Sequence, residues 1–175
     1  MHQFGSVIIA GTDEPQRTTA GYVTDDLFNI LGARARIGRR IVPGDADEQS
    51  ESTVVLGDGL WRRSFGADPN IVGQTISLDK KPHTVIGIMP PEFNFPFGGV
   101  TMWIPYRVNA TAERGVGGLL GVGRLKSGVS LAMAHAEIST IANRLKLQYP
   151  EINAEQGARV VGLREGLIFF STSCG

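Results

Sequence analysis

The stretch TVVLGDGLWRRSFGADPNIVGQTISLDKKPHTVIGIM, residues 53–89, decides the fold. It opens with a short β-branched run that predicts a strand. Leu60, Trp61 and Phe65 follow at a spacing that places all three side chains on one face of a short helix. Residues 73–78 and 82–89 then alternate apolar and polar residues around Asp79-Lys80-Lys81 and predict a β-hairpin. Strand, helix and hairpin in this order indicate a mixed α+β domain.

The residues before this stretch predict two more strands and a helix. Phe4–Ala10 and Thr18–Val23 are rich in β-branched and aromatic residues and are separated by a loop. Thr24 is a candidate N-cap for a helix through Leu31, and Gly32 suits the left-handed position that ends it. Residues 41–52 are polar and turn-rich, as expected of an exposed connection.

The residues after it predict a strand, a helix and a strand. Ser130 can cap a helix whose apolar residues fall on one stripe, and Pro150 stops it. Residues 119–125 and 158–163 on either side are strand-like, so the unit has the length of a right-handed crossover. The predicted core residues of the whole chain are Leu27, Phe28, Leu31, Trp61, Phe65, Val85, Ile86, Ile88, Ile138, Ile141 and Leu145.

The composition excludes several classes of protein. The 17 Lys plus Arg residues balance the 17 Asp plus Glu residues, which disfavours a nucleic-acid partner. The single cysteine, Cys174, rules out a disulfide framework and a cysteine-rich metal site. Because no apolar run reaches the roughly 20 residues of a bilayer-spanning helix, the chain as written is expected to be soluble.

No motif for catalysis or cofactor binding emerges. The glycine cluster at 115–123 misses the G-x-G-x-x-G spacing and precedes a strand rather than a helix. The three histidines lie far apart, so catalytic, cofactor and metal residues are all predicted to be none. A rival interpretation is a small metal-dependent enzyme that uses Asp45, Asp47 and Glu48, although an exposed loop explains these acids as well.

Two sets of residues are candidates for binding. Arg39, Arg40, Arg62 and Arg63 could form a partner-binding face, because arginine supports charged and stacking contacts. Mutual screening of the first two arginines with the acids that follow them is the simpler alternative. Phe93, Phe95 and Phe97 recur at a spacing of two and could line a cleft, or could belong to the hydrophobic core.

Several segments, taken in order, resemble the MacB-like periplasmic core domain of FtsX-like ABC transporter permeases. They are LFNILGA at 27–33, IGR at 37–39, VVLGDGLWRRSFGADPNIVG at 54–73, HTVIGIMPP at 83–91, WIP at 103–105 and GRLKSGVSL at 123–131. The resemblance extends over roughly residues 18–166, nearly the whole chain. The turn at 79–81 lacks the Asn-Gly pair that relatives often carry, so its type stays open.

The resemblance implies a porter-like α/β lobe formed by residues 1–52 and 107–175, with a β-rich lobe inserted at 53–106. It also implies a non-catalytic, cofactor-free domain on the periplasmic or extracytoplasmic face of the inner membrane. Such a domain would relay ATP-driven motion and dock a substrate or a periplasmic protein, with the permease transmembrane helices and an ABC ATPase subunit as partners in the full-length protein. The alternative is a free-standing module that binds a ligand or peptide in a cleft between lobes.

Overall fold

The computed structural model describes residues 2–10, 15–95, 99–107, 120–153 and 157–163. Contacts divide the chain into two compact units. Unit 1 comprises Met1–Ala110 and Gly118–Val122, and unit 2 comprises Thr111–Gly117 and Gly123–Gly175. Helices and strands are both present, so the predicted mixed α+β class is confirmed.

Unit 1 holds the strands and two short helices. In chain order they are β1 (His2–Ala10), β2 (Gln16–Val23), α1 (Leu27–Leu31), β3 (Ile37–Gly38), β4 (Thr53–Gly57), α2 (Asp58–Phe65), β5 (Thr75–Leu78), β6 (Lys81–Met89) and β7 (Met102–Pro105), with a 3₁₀ turn at Pro69–Ile71. The predicted strands at 4–10 and 18–23, the helix that ends at Gly66 and the hairpin are confirmed.

The sheet of unit 1 closes on itself. Its order is β3-β6-β4-β7-β2-β1-β5, and β5 also pairs with β6. The ring is closed between β1 and β5 by Ile9 opposite Leu78 and Ala10 opposite Ser77. β2 and β7 run parallel, as do β4 and β6, and the other pairings are antiparallel. β1, β4 and β6 therefore begin at the same end of the closed sheet.

Alternation along the strands gives the sheet two hydrophobic faces. Val54 and Leu56 of β4 belong to one buried cluster, whereas Val55 between them belongs to the other. This is the period of two expected of a strand that is buried on both faces. The first cluster contains Val7, Ile9, Ala20, Val54, Leu56, Leu60, Ile76, Leu78, Val85, Met102 and Ile104. The second contains Val23, Leu27, Phe28, Ile41, Val55, Ile86, Met89, Val100 and Trp103.

Helix α1 begins later than the sequence predicted. Its N-cap is Asp26, without a side-chain capping bond, and the Thr24 carbonyl oxygen accepts a 3.1 Å hydrogen bond from the Leu27 amide. The predicted Thr24 cap is therefore wrong, because the helix gains its place from burial of Leu27 and Phe28 rather than from a cap. Gly32 at the other end has the expected left-handed conformation, with φ of 67°.

Unit 2 contains α3 (Leu131–Gln148) and α4 (Pro150–Asn153). Ser130 caps α3 as predicted, since its hydroxyl accepts a 3.2 Å hydrogen bond from the Met133 amide. The predicted burial of Ile138, Ile141 and Leu145 is wrong, because these side chains are 37–44% exposed. Residues 121–125 and 157–163 do not form the predicted flanking strands, so no sheet covers this face within the described part of unit 2.

Strands from two of the predicted lobe segments share one sheet. Residues 1–52 contribute β1 and β2, which pair with β5 and β7 from residues 53–106. The assignment of residues 1–52 and 107–175 to a porter-like lobe, with residues 53–106 as an inserted lobe, stays a prediction. None of the described helices combines the length and apolar character that a bilayer-crossing segment requires.

Candidate partner-binding site

The centre of the arginine cluster is Asp58, the first residue of α2. Its side chain is buried and accepts a 2.6 Å hydrogen bond from Arg62 Nε and a 2.8 Å hydrogen bond from Arg36 Nη1. Arg62 lies one helical turn after Asp58, so α2 itself brings these two residues together. A carboxylate in the first turn is also favoured by the helix dipole.

Trp61 forms the base of the same cluster. The guanidinium carbons of Arg36 and Arg62 lie 5.7 and 5.5 Å from its ring centroid, within range of cation–π attraction. The indole Nε1 donates a 2.9 Å hydrogen bond to the carbonyl oxygen of Asp68. The ring is buried, while the side chains of Arg36 and Arg62 remain 43% and 51% exposed. The cluster therefore presents two guanidinium groups, each fixed by a carboxylate and an aromatic ring.

The electrostatics keep Asp58 ionised. The hydrogen bond from Arg62 lowers the pKa of Asp58, burial opposes it, and the charges of Arg62 and Arg36 lower it further. The net pKa lies below the ordinary value of 3.8. Asp58 therefore holds both arginines in place at neutral pH.

Arg39 forms a separate ion pair with Asp45. Arg39 Nη1 and Nη2 donate to the two oxygens of Asp45 at 2.6 and 2.8 Å, a bidentate arrangement. Burial favours the neutral form of Asp45, but the hydrogen bonds from Arg39 and the Val42 amide and the charge of Arg39 outweigh it, so the pKa of Asp45 is lowered. The charge of Arg39 is therefore neutralised within the chain, as the screening alternative predicts.

Arg40 and Arg63 have different surroundings. Arg40 donates to the carbonyl oxygen of Ala33 at 3.0 Å and to Asn29 Oδ1 at 3.2 Å, so it links α1 to the segment after β3. Arg63 is exposed in the last turn of α2, and no ion pair engages it among the described residues. Of the four predicted arginines, Arg62 and Arg63 are consecutive on one exposed helix, whereas Arg39 and Arg40 are engaged in internal contacts.

Sequence reasoning missed Arg36 as a member of this cluster. Arg36 lies in the same basic run as Arg39, but its contact is with Asp58, 22 residues later. Its backbone amide also donates to the carbonyl oxygen of Ile88 on β6, which places it beside the sheet. A contact over this separation has no local sequence signal.

Of the predicted cleft residues, Phe93 packs against the second hydrophobic cluster. Its ring stacks on Phe28 at 5.6 Å and meets Trp103 edge-on at 5.0 Å. Phe95 is half-buried against the same cluster, and its carbonyl oxygen accepts from Trp103 Nε1 at 3.2 Å. Both residues therefore pack on the core, which is the alternative that the spacing left open. Phe97 lies outside the described residues.

The acidic loop does not assemble a metal site within the described ranges. No three His, Cys, Asp or Glu side chains of those ranges lie close enough together to hold an ion. Asp45, the buried acid of the loop, is held by Arg39 and by the Val42 amide at 2.9 Å. Asp47 and Glu48 are exposed.

Comparison with known proteins agrees with the resemblance seen in the sequence. Residues 2–141 match the family model described as the MacB-like periplasmic core domain. The chain is 28% identical over 148 residues, 82% of its length, to macrolide export ATP-binding/permease protein MacB 1 of Yersinia pestis bv. Antiqua, strain Antiqua. It is 32% identical over 87 residues, 48% of its length, to MacB of Neisseria gonorrhoeae. The chain spans about a fifth of the Yersinia protein, 20% of its length, and 13% of the Neisseria protein.

Solved structures show the same fold. The periplasmic region of MacB from Actinobacillus actinomycetemcomitans matches with a TM-score of 0.60 and 20% identity, over 87% of this chain and 67% of that one. A domain of a permease protein from Porphyromonas gingivalis matches with a TM-score of 0.53 and 17% identity, over 81% of this chain and 65% of that one. With the family model covering most of its length, the chain belongs to the MacB-like periplasmic core domain family.

Proposed function

We propose that this chain is the extracytoplasmic domain of an ABC transporter permease, and that it relays ATP-driven motion and docks a partner without catalysing a reaction. The observation that carries the proposal is the match of residues 2–141 to the periplasmic core domain family. In the full-length protein its partners are the transmembrane helices of the permease and an ABC ATPase subunit.

The closed sheet supports the relay. Packed cores on both faces of a closed sheet leave little room for internal deformation, because protein interiors are close-packed and transmit strain. Unit 1 would therefore move as one body when the membrane helices to which it is joined change position.

The arginines on and beside α2 support the docking. Arg63 is exposed, and Arg36 and Arg62 are held against Trp61 with about half of each side chain accessible. Preorganised arginines beside an aromatic ring lose little conformational freedom on binding and are frequent at the centres of interfaces. We propose an acidic protein surface as the partner of this face, with Arg63 as its most accessible contact.

Photo-crosslinking in the native host tests both parts. A benzophenone amino acid replaces Arg63 in one variant and Lys80, an exposed turn residue away from α2, in the control. We expect position 63 to crosslink to a discrete extracytoplasmic protein and the yield to change when ATP is depleted. Arg62→Glu should suppress the crosslink at position 63.

Two results would count against the proposal. Equal crosslinking from positions 63 and 80 would remove the docking face. Failure of the ATPase subunit to co-purify with the tagged chain from detergent extracts would favour the free-standing binding module.

A further inference from the structure

A cavity of about 510 Å³ lies at the end of the closed sheet where β1, β4 and β6 begin. We name it the mouth cavity. Its walls come from the start of β1, the end of β2, the start of β4, the start of β6 and the end of β7 with the two residues after it. Its volume lies within the range of small-molecule sites, about 300–1,000 Å³. None of the arginine cluster on α2 lines it.

The charged groups of the mouth cavity are predominantly cationic. Lys81 and Arg107 line it, and neither forms an ion pair with a described residue. Arg107 is held by the Ser50 carbonyl oxygen, to which Nη2 donates at 2.6 Å, so its position is set by a neutral partner rather than by a carboxylate. The one acid in the lining, Asp45, is neutralised by Arg39. The cavity therefore favours an anion.

The uncharged walls supply aromatic surface and hydrogen-bonding groups. Phe4, Tyr22 and Tyr106 contribute rings. Burial and then the nearby Asp79 carboxylate raise the pKa of Tyr22, so its phenol is neutral and able to donate at physiological pH. His83 Nδ1 lies 3.1 Å from the Lys81 carbonyl oxygen and donates to it, which leaves Nε2 for another partner.

Thr53 adds an independent observation. It lines the mouth cavity, its residue is only 5% exposed, and its Oγ1 is the buried side-chain oxygen or nitrogen without a hydrogen-bond partner among the described residues. Buried hydroxyl groups are usually satisfied, so an orphan at a cavity wall points to a polar group that is supplied by something else.

A neighbouring groove limits the charge of the ligand. It has a volume of about 340 Å³, shares Tyr106 with the mouth cavity and is lined by Asp25, Asp47 and Glu48. These carboxylates would repel a polyanion that extends past Tyr106. A ligand with a single anionic group on an apolar body suits the cationic mouth cavity and avoids repulsion by the acidic groove.

We infer that the mouth cavity is a binding site for a small organic monoanion, with Lys81 and Arg107 at its charged group and the aromatic rings around its apolar body. The site is separate from the arginine face of α2, and the inference holds whether or not that face docks a partner.

Calorimetric titration of the 175-residue chain with three matched probes tests the inference. Naphthylacetate carries the anion, naphthylacetamide is neutral, and naphthylmethylammonium is a cation of similar size. We expect saturable binding of one naphthylacetate per chain, and binding of the amide and the cation weaker by about tenfold or more, because a charge-assisted contact is lost.

The matched variants are Lys81→Glu and Lys80→Glu, which make the same charge change one residue apart. Only Lys81 lines the cavity, so Lys81→Glu should weaken naphthylacetate by about tenfold or more while Lys80→Glu leaves its affinity unchanged. If Lys81→Glu fails to fold, naphthylacetate affinity is measured on Lys81→Met instead, because this variant removes the charge and keeps the apolar part of the side chain. Equal binding of acid and amide, no saturable binding, or equal effects at positions 80 and 81 would each overturn the inference.

Discussion

At the scale of single residues, Trp61 joins the core to the surface cluster. Its ring is 5% exposed, lies under two guanidinium groups and donates a hydrogen bond to the loop that follows α2. The sequence predicted its burial from the spacing with Leu60 and Phe65. The stacking of Arg36 was not predictable, because it depends on the path of a distant segment.

Trp61→Ala should lower the free energy of unfolding by about 3–5 kcal/mol, the range for removing a large buried aromatic side chain. Urea denaturation followed by circular dichroism measures it. Arg63→Ala, at an exposed position on the same helix, is the control and should stay within about 0.5 kcal/mol of the parent chain. An unchanged midpoint for Trp61→Ala would show that the indole does not support the fold.

The ionised form of Asp58 gives stability a defined pH dependence. Its pKa is lowered in the folded chain, so its contribution is present above the unfolded value of about 3.9 and is lost as the pH falls through the lower folded value. We expect the parent chain to lose stability below about pH 4 and Asp58→Asn to lose less over the same interval.

The urea midpoints of parent and variant are measured between pH 6 and pH 3, and their difference isolates the contribution of Asp58. The similar contribution of Asp45 is present in both chains and cancels in this difference. Identical pH slopes for parent and Asp58→Asn would contradict the assigned ion pairs.

At the scale of elements, the hairpin of β5 and β6 closes with a turn of unusual composition. Leu78 pairs with Lys81, and the two residues between them, Asp79 and Lys80, have φ of 47° and 66°. Both angles lie in the left-handed region, so the turn is type I′. The turn type that the sequence left open is therefore the one that Asn-Gly would also form.

Lys80→Gly should stabilise the chain by about 0.5–1 kcal/mol, because glycine relieves the left-handed conformation and only part of this gain is offset by the freer unfolded chain. The control is Asp79→Gly. Asp79 Oδ1 accepts a 2.9 Å hydrogen bond from the Ile8 amide, so loss of this contact should offset the relief of the left-handed conformation, and that variant should be no more stable than the parent chain. A thermal midpoint for Lys80→Gly at or below that of the parent chain would contradict the turn assignment.

Sequence patterns predicted the features of helices and strands that depend on residues close together in the sequence. The Ser130 cap, the glycine stops at 32 and 66 and the β5–β6 hairpin depend on neighbours in sequence, and all were confirmed. The stripe on α3 shows the opposite case. Its period predicts a helix correctly, but whether its apolar face is covered depends on other segments, and here Ile141 is 44% exposed.

At the scale of the whole molecule, closure of the sheet was not predictable from the sequence. Two residue pairs, Ile9 with Leu78 and Ala10 with Ser77, join β1 to a strand nearly seventy residues later, and neither pair has a local signature. The mouth cavity follows from the same closure, since its lining comes from five separate strands or their ends. The family, by contrast, was recognisable from short motifs taken in order, because that recognition depends on the sequence alone and not on spatial contacts.

The most direct test of the proposed function is the side of the membrane on which the chain lies. Lys80→Cys in a Cys174→Ser background places one exposed thiol on the hairpin turn, and Val85→Cys, fully buried, is the control for intact folding. Spheroplasts of the native host are treated with a membrane-impermeant maleimide before and after lysis. We predict full labelling of position 80 in intact spheroplasts and labelling of position 85 only after denaturation; labelling of position 80 that appears only after lysis would contradict an extracytoplasmic domain.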